Sequence, residues 1–356
     1  MRHASTRLAR SGKHNDEAAA TLRQQSRATA GNDRLEDAVE PASLRFGVFP
    51  CGVAGMPDGL ATGPPDDLGQ IVAALGQLAG DKEPWLIRMY VVWTGAGSTA
   101  RCLRELGRLA LQPWDLDIVL SYKDPAGDVG AWVSFVRSVA SEWGERFAAL
   151  QITGEPNLAR GGDGDFPHVA EALVHGVLEA ASARRGPGPS ADIGFAVAAE
   201  RRPEESFLWP RVRELGGRHF ADALDYAGLD LYLDVFGPPM TPDRLASAAP
   251  LALRAFRDRV LEPIGVERNV PVHICENGWP TGPRRTAERQ ADVLETVVRS
   301  VAAVREELNV THWELFTLRD ADSSVDNGFY QFGVLRDDYA PKPAFDRLAR
   351  LYRELG

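Results

Sequence analysis

Residues 86–121 read LIRMYVVWTGAGSTARCLRELGRLALQPWDLDIVLS, and this stretch decides the fold class. Leu86–Trp93 and Leu116–Ser121 are short runs rich in β-branched, aromatic and other apolar residues. Runs of that length belong to strands buried on both faces, as in a parallel sheet. Between them, Leu103, Leu106 and Leu109 recur at helical spacing within Thr99–Ala110. Strand, amphipathic helix and strand make a parallel βα unit.

The same alternation extends in both directions. Leu44–Phe49 is a first strand, with an amphipathic stretch over Asp67–Ala79 after it. Downstream, Val129–Trp143 follows the third strand, and Ala149–Thr153 precedes a helix over Val169–Ala183. Ile193–Ala198 leads into Glu204–Leu215, and Tyr226–Leu233 into Thr241–Leu261, which Pro250 is expected to break. Val270–Cys275 with Thr286–Leu308, then Thr311–Phe316 with Pro343–Leu355, complete the count. Eight strands, each followed by a helix, are what a closed (β/α)8 TIM barrel requires. A doubly wound open sheet would place a G-x-G-x-x-G turn after its first strand. Pro50–Gly55 has no such spacing.

Residues 1–42 are polar and aperiodic and read as a disordered tail, leaving 43–356 for the barrel. At 356 residues, 44% hydrophobic and 25% charged, the chain can bury a large core. A formal net charge of −10 argues against nucleic acid as a partner. No apolar stretch is long enough to span a bilayer, so no membrane partner is expected. Cys51, Cys102 and Cys275 form no C-x-x-C pair and no disulfide framework, and no apolar core follows the basic N-terminus. A cytoplasmic location is the expectation.

Chemistry in a parallel barrel sits where strands end and βα loops begin. Two strand ends carry a glutamate followed by a chain-breaking context: Leu150–Asn157 (LQITGEPN) and Val272–Pro280 (VHICENGWP). Strands four and seven face each other across the mouth, so Glu155 and Glu276 can converge on one substrate. Paired carboxyls at close range suit retaining glycoside hydrolysis, with one group ionised as nucleophile and the other protonated as acid. Their mutual charge should push one pKa up.

These motifs resemble those of the clan A retaining glycoside hydrolases, (β/α)8 enzymes with the acid/base on strand four and the nucleophile on strand seven. ITGEPN resembles the clan's N-E-P motif, and CENGWP its E-x-G-W motif. Arg88–Met89–Tyr90 resembles its R-x-Y, and Tyr232 a tyrosine that bonds the nucleophile. Trp313 resembles the aromatic platform under the sugar, and Gly333–Ala344 the clan's closing segment. The resemblance implies Glu155 as acid/base, Glu276 as nucleophile and Arg88, Tyr90 and Tyr232 as their supports. It implies a carbohydrate substrate, no metal and no organic cofactor. One position departs from the pattern: Gly154 stands where the clan has the asparagine that binds the sugar 2-hydroxyl. Asn157 is a candidate for that contact. A sugar held differently, an unusual substrate at that carbon and a reduced activity all stay open, the last as a carbohydrate-binding barrel with little hydrolysis.

The remaining candidates divide by position. An inward Arg88 in an apolar strand needs an acidic partner. Trp93, Trp279 and Trp313 lie near strand ends and could stack on sugar, whereas Trp132, Trp143 and Trp209 fall in helices and read as core. Asp320–Gly328 lacks EF-hand spacing, so this stretch and Gly161–Asp165 read as polar loops beside the cleft. His273 and His312, inside strands, read as barrel residues, and Cys275 as packing turned away from the cleft.

Overall fold

The computed structural model describes residues 43–184 and 190–356; the tail read over 1–42 lies outside them. Eight strands form the ring: β1 (Arg45–Phe49), β2 (Leu86–Trp93), β3 (Leu116–Tyr122), β4 (Ala149–Gly154), β5 (Asp192–Ala198), β6 (Tyr226–Asp230), β7 (Val272–Asn277) and β8 (Val310–Phe316). Every neighbouring pair is parallel, and β1 closes the barrel by pairing with β8 on one side and β2 on the other. This is the (β/α)8 barrel expected from the alternation.

The helices that follow these strands are α1 (Leu68–Ala79), α2 (Thr99–Leu109), α3 (Val129–Trp143), α4 (Val169–Ser182), α5 (Leu208–Asp222), α6 (Pro242–Phe256), α7 (Ala287–Leu308) and α8 (Pro343–Leu355). Local chemistry starts several of them. Asp67 accepts from the Gly69 and Gln70 N–H groups, Asp128 from Ala131 and Thr286 from Arg289, satisfying donors that a first helical turn leaves free. Pro250 does not break α6, which runs through it and ends in a π-turn over Arg257–Leu261. The carbonyl that loses its partner belongs to exposed Ala246, so it is not left buried without one. A short hairpin, Val53–Met56 paired with Gly59–Thr62, fills the loop after β1 and was not legible in the sequence.

Strand alternation sorts side chains between two cores. On β8, Trp313 faces outward against Phe46, which in turn packs on Tyr352 of α8. His312 faces inward, its ring 3.7 Å from that of His273, which stacks on Tyr226 at 4.1 Å. Burial holds both imidazoles below their ordinary range, His312 down at about 3, so this layer is neutral filling. Cys275 also faces inward, in a small buried cluster with Ala149, Ala196 and Tyr226. It packs, as expected, but beneath the mouth rather than on the outer side. The reason is a bulge: β7 pairs Ile274 with Leu229 and then Glu276 with Asp230, skipping Cys275. One extra residue lets Cys275 and Glu276 both serve the inside of the barrel.

Candidate active site

The site grows from a buried arginine. Arg88, 1% exposed on β2, bonds Asp117 of β3 through Nη1 and Gln151 of β4 through Nη2 at 2.6 Å. Its Nε donates to the Tyr90 hydroxyl at 2.9 Å, and Nη2 lies 4.0 Å from Glu276 Oε1. A guanidinium in an apolar strand is tolerable only with such partners. The acidic partner that the sequence called for is Asp117, with Glu276 one step further out.

Glu276 is the focus of the mouth. Tyr90 donates its hydroxyl to Oε1, and Tyr232 donates to Oε2 at 2.5 Å. Each carboxylate oxygen therefore has a fixed phenolic donor, which sets the orientation of the whole group. Tyr232 lies two residues past the end of β6, its ring edge-on to Phe316 and Phe332. Tyr90 is edge-on to Phe49. Rings thus brace both donors.

Glu155 leaves β4 in a left-handed conformation, φ 49°. Burial first, then the charge of Glu276 and that of Asp163, push its carboxyl up to about 8, against the pull of Lys123 and Arg88. It is a proton carrier at neutral pH, facing a second glutamate that is hydrogen-bonded as an acceptor. This is the division of labour that a general acid and a nucleophile need. Asp230, at the end of β6, is 1% exposed, and its carboxyl oxygens have no hydrogen-bond partner among the described residues. Burial and the two glutamates hold it well above the usual carboxylate range.

The other candidates are not brought to this point. Asn157 spends both ends of its amide on the backbone of Ala198, donating to its oxygen at 2.9 Å and accepting from its nitrogen at 3.0 Å. It ties the β4 loop to β5. Trp313 is fully buried between sheet and helices, because odd-numbered residues of β8 point outward. Phe316 occupies the inward strand tip instead, stacked on Phe49 at 5.5 Å. Trp279 is 4% exposed; its indole donates to the Asp234 carbonyl at 3.0 Å, and the Arg285 guanidinium covers one face at 5.1 Å. Trp93 stacks in the core on Tyr122 and Phe135. In the β8 loop, Asp320 is taken by Lys342 at 2.7 Å and by Ser323 at 2.9 Å, so the closing segment anchors that loop. Among the described residues no group of three His, Cys, Asp or Glu side chains is placed to hold a metal ion. Sequence reasoning missed Asp117, Gln151, Asp230 and Phe316. A polar residue inside an otherwise apolar strand was the available signal for the first three; Phe316 carried none.

No family model matches the chain, and no curated protein matches it. Solved structures do. A β-glucuronidase from Ruminococcus gnavus, in complex with D-glucuronic acid, is 13% identical at a TM-score of 0.58, with 88% of this chain and 49% of that chain covered. The apo structure of β-glucosidase 1317 is 17% identical at 0.54, covering 80% and 87%. A family 39 glycoside hydrolase from the gut symbiont Bacteroides cellulosilyticus WH2 is 16% identical at 0.55, covering 89% and 65%. The chain spans about half the length of the β-glucuronidase chains it matches. At such identities the likeness is one of architecture. The chain shares the (β/α)8 fold of clan A glycoside hydrolases.

Proposed function

We propose that the chain is a retaining glycoside hydrolase acting on O-glycosidic, β-configured bonds of oligosaccharides or small glycosides. One observation carries the reading: Glu276 is held at both oxygens by Tyr90 and Tyr232, while Glu155 beside it keeps its proton to about pH 8. In the first step a Glu276 oxygen forms a bond to the anomeric carbon as the glycosidic C–O bond breaks. Glu155 gives its proton to the departing oxygen. In the second, Glu155 takes a proton from water, whose oxygen displaces Glu276, so two inversions restore the starting configuration. Arg88 acts through Tyr90, donating to the hydroxyl oxygen whose proton points at Glu276.

A second reading, a sugar-binding barrel with little turnover, draws on Gly154, since the 2-hydroxyl contact of the clan has no counterpart there. A 2-fluoro glycoside separates the two, because an enzyme is labelled covalently at Glu276 and a binder is not. For the hydrolase, Glu276→Gly loses about a thousandfold or more in kcat. Added azide then restores turnover and yields a glycosyl azide of inverted configuration. Near wild-type rates in Glu276→Gly would remove the nucleophile assignment.

A further inference from the structure

The end of β4 is held by something other than its sheet. Its ladder to β3 stops at the Leu120–Ile152 pair, and its ladder to β5 jumps from Gln151 to Gly154. Beyond that point Thr153 and Glu155 have φ values of 67° and 49°. Non-glycine residues hold that conformation only where their surroundings impose it. One side chain supplies much of that hold. Asp163, fully buried on a single 3₁₀ turn (Asp163–Asp165) in the β4α4 loop, accepts from the Gly154 N–H at 2.7 Å. It also accepts from the Tyr122 N–H and the Ser121 hydroxyl, each at 2.6 Å. Its carboxylate thus replaces the ladder bonds that β3 and β4 no longer make.

The G-G-D-G-D segment is built for this insertion. A Cβ on Gly162 would lie 2.6 Å from the carbonyl oxygens of both Glu155 and Leu158, and one on Gly164 would lie 2.8 Å from Leu158 O. The loop rests backbone on backbone over 155–158, so only glycines on either side let Asp163 reach in. A Cβ on Gly154 would point at Ser121 Oγ, 3.5 Å away, and Asp163 Oδ1, 3.8 Å away. The space a longer side chain at 154 would use is therefore held by the Asp163 carboxylate.

We propose that Asp163 is the positioning residue of the acid/base: it fixes the Gly154–Glu155 turn between β3 and β4 and so aims Glu155 at the leaving group. The assignment of a role in catalysis rests on the hydrolase reading above. The charges around the pair are few. Lys123, just past β3, lies 3.7 Å from Asp163 Oδ1; Asp165 is turned to the Arg160 and Gly161 N–H groups. Glu276 of β7, Asp230 of β6 and Arg88 of β2 face Glu155. Asp163 adds to the negative charge that keeps the Glu155 proton in place, and burial lifts its own carboxyl to about 6.

The test is Asp163→Asn, which keeps the shape and removes the charge. In protein labelled with 13C at glutamate Cδ, the Glu155 resonance is assigned by its loss in Glu155→Gln. Its titration should move to lower pH in Asp163→Asn. On glycosides of a sugar the wild type turns over, kcat/KM should fall about tenfold or more with an alkyl aglycone, which needs a proton donor. With a 2,4-dinitrophenyl aglycone, which does not, the change should stay within about twofold. An unmoved Glu155 titration, or equal losses on both aglycones, overturns the assignment. If the wild type turns over no glycoside, the hydrolase reading fails, and the titration still decides whether Asp163 holds Glu155. Should Asp163→Asn not fold, Ser121→Ala removes one of the three donors to Asp163 and must show the same unequal loss, or the proposal falls.

Discussion

At the scale of single residues, the site depends on two glutamates in unlike surroundings. Glu276 is fixed by two phenols, whereas Glu155 keeps its proton up to about pH 8 because its charge would be buried beside another. A stability signature follows. The folded chain holds the Glu155 proton where the unfolded chain, near the ordinary 4.5, has lost it. Stability is therefore fully present below about pH 4.5 and declines as pH rises through about 8. Asp163, lifted to about 6, contributes in the same direction over a lower window. Thermal melts should show Glu155→Gln gaining on the wild type between pH 5 and 8, with no further gain above. A difference in Tm that does not change with pH would contradict the raised pKa. On the proposed hydrolase reading the same group would set the alkaline limb of kcat/KM, so activity should fall off above about pH 8.

Elements bring these residues together by breaking regularity at chosen points. β7 inserts one residue so that Glu276 reaches the mouth above Cys275, and β4 leaves its ladder so that Glu155 does the same. Both bulges re-aim a side chain that strict alternation would have misplaced. The helices hold the strands at close range. Gly176 of α4 is an example: a Cβ there would come within 2.7 Å of Ile152 Cγ2 on β4 and 3.1 Å of Trp132 Nε1. Gly176→Ala should cost about 1–3 kcal/mol by overpacking, read as a lower urea midpoint at unchanged m-value. A neutral or stabilising Gly176→Ala would mean that α4 is not in fact pressed on β4. Apart from α5, read over Glu204–Leu215 and found at Leu208–Asp222, the helices and strands were read from the sequence to within a few residues, because 3.6-residue periodicity and short apolar runs are local. Their irregularities were not: the hairpin after β1, the intact α6 around Pro250 and the two bulges all depend on what lies opposite.

For the molecule as a whole, closing the ring creates a polar plug below the mouth. Arg88, Asp117, Gln151, Asp230 and Glu314 come from five different strands and all are buried. One guanidinium serves several acids, and burial keeps Asp230 and Glu314 well above the usual carboxylate range. Removing the cation should therefore be expensive. Arg88→Leu leaves Asp117 buried without its partner, a loss of about 3–5 kcal/mol. Chemical denaturation measures it, and a loss under about 1 kcal/mol would show that the plug does not need its charge. A second replacement, Asp117→Leu in the Arg88→Leu background, should recover part of that loss, since an apolar pair carries no desolvation cost.

By itself the sequence determined the order of strands and helices, the two glutamates at facing strand ends, and the arginine and tyrosines that surround Glu276. The elements, the glutamates at strand ends and Arg88 follow from local period and from polar residues set in apolar runs, whereas the tyrosines came from the resemblance to the clan A motifs. It could not decide direction across a strand once an extra residue was inserted. Trp313 at the mouth was a reasonable expectation and Phe316 stands there instead, because one position along β8 exchanges cleft for core. Nor could it show that Asn157 is spent on Ala198 and that Asp163, eight residues beyond Glu155, returns to the strand end. Those contacts exist only when closure brings β3, β4 and β5 side by side, and hydrogen-bond geometry then selects among groups that the linear chain leaves equivalent.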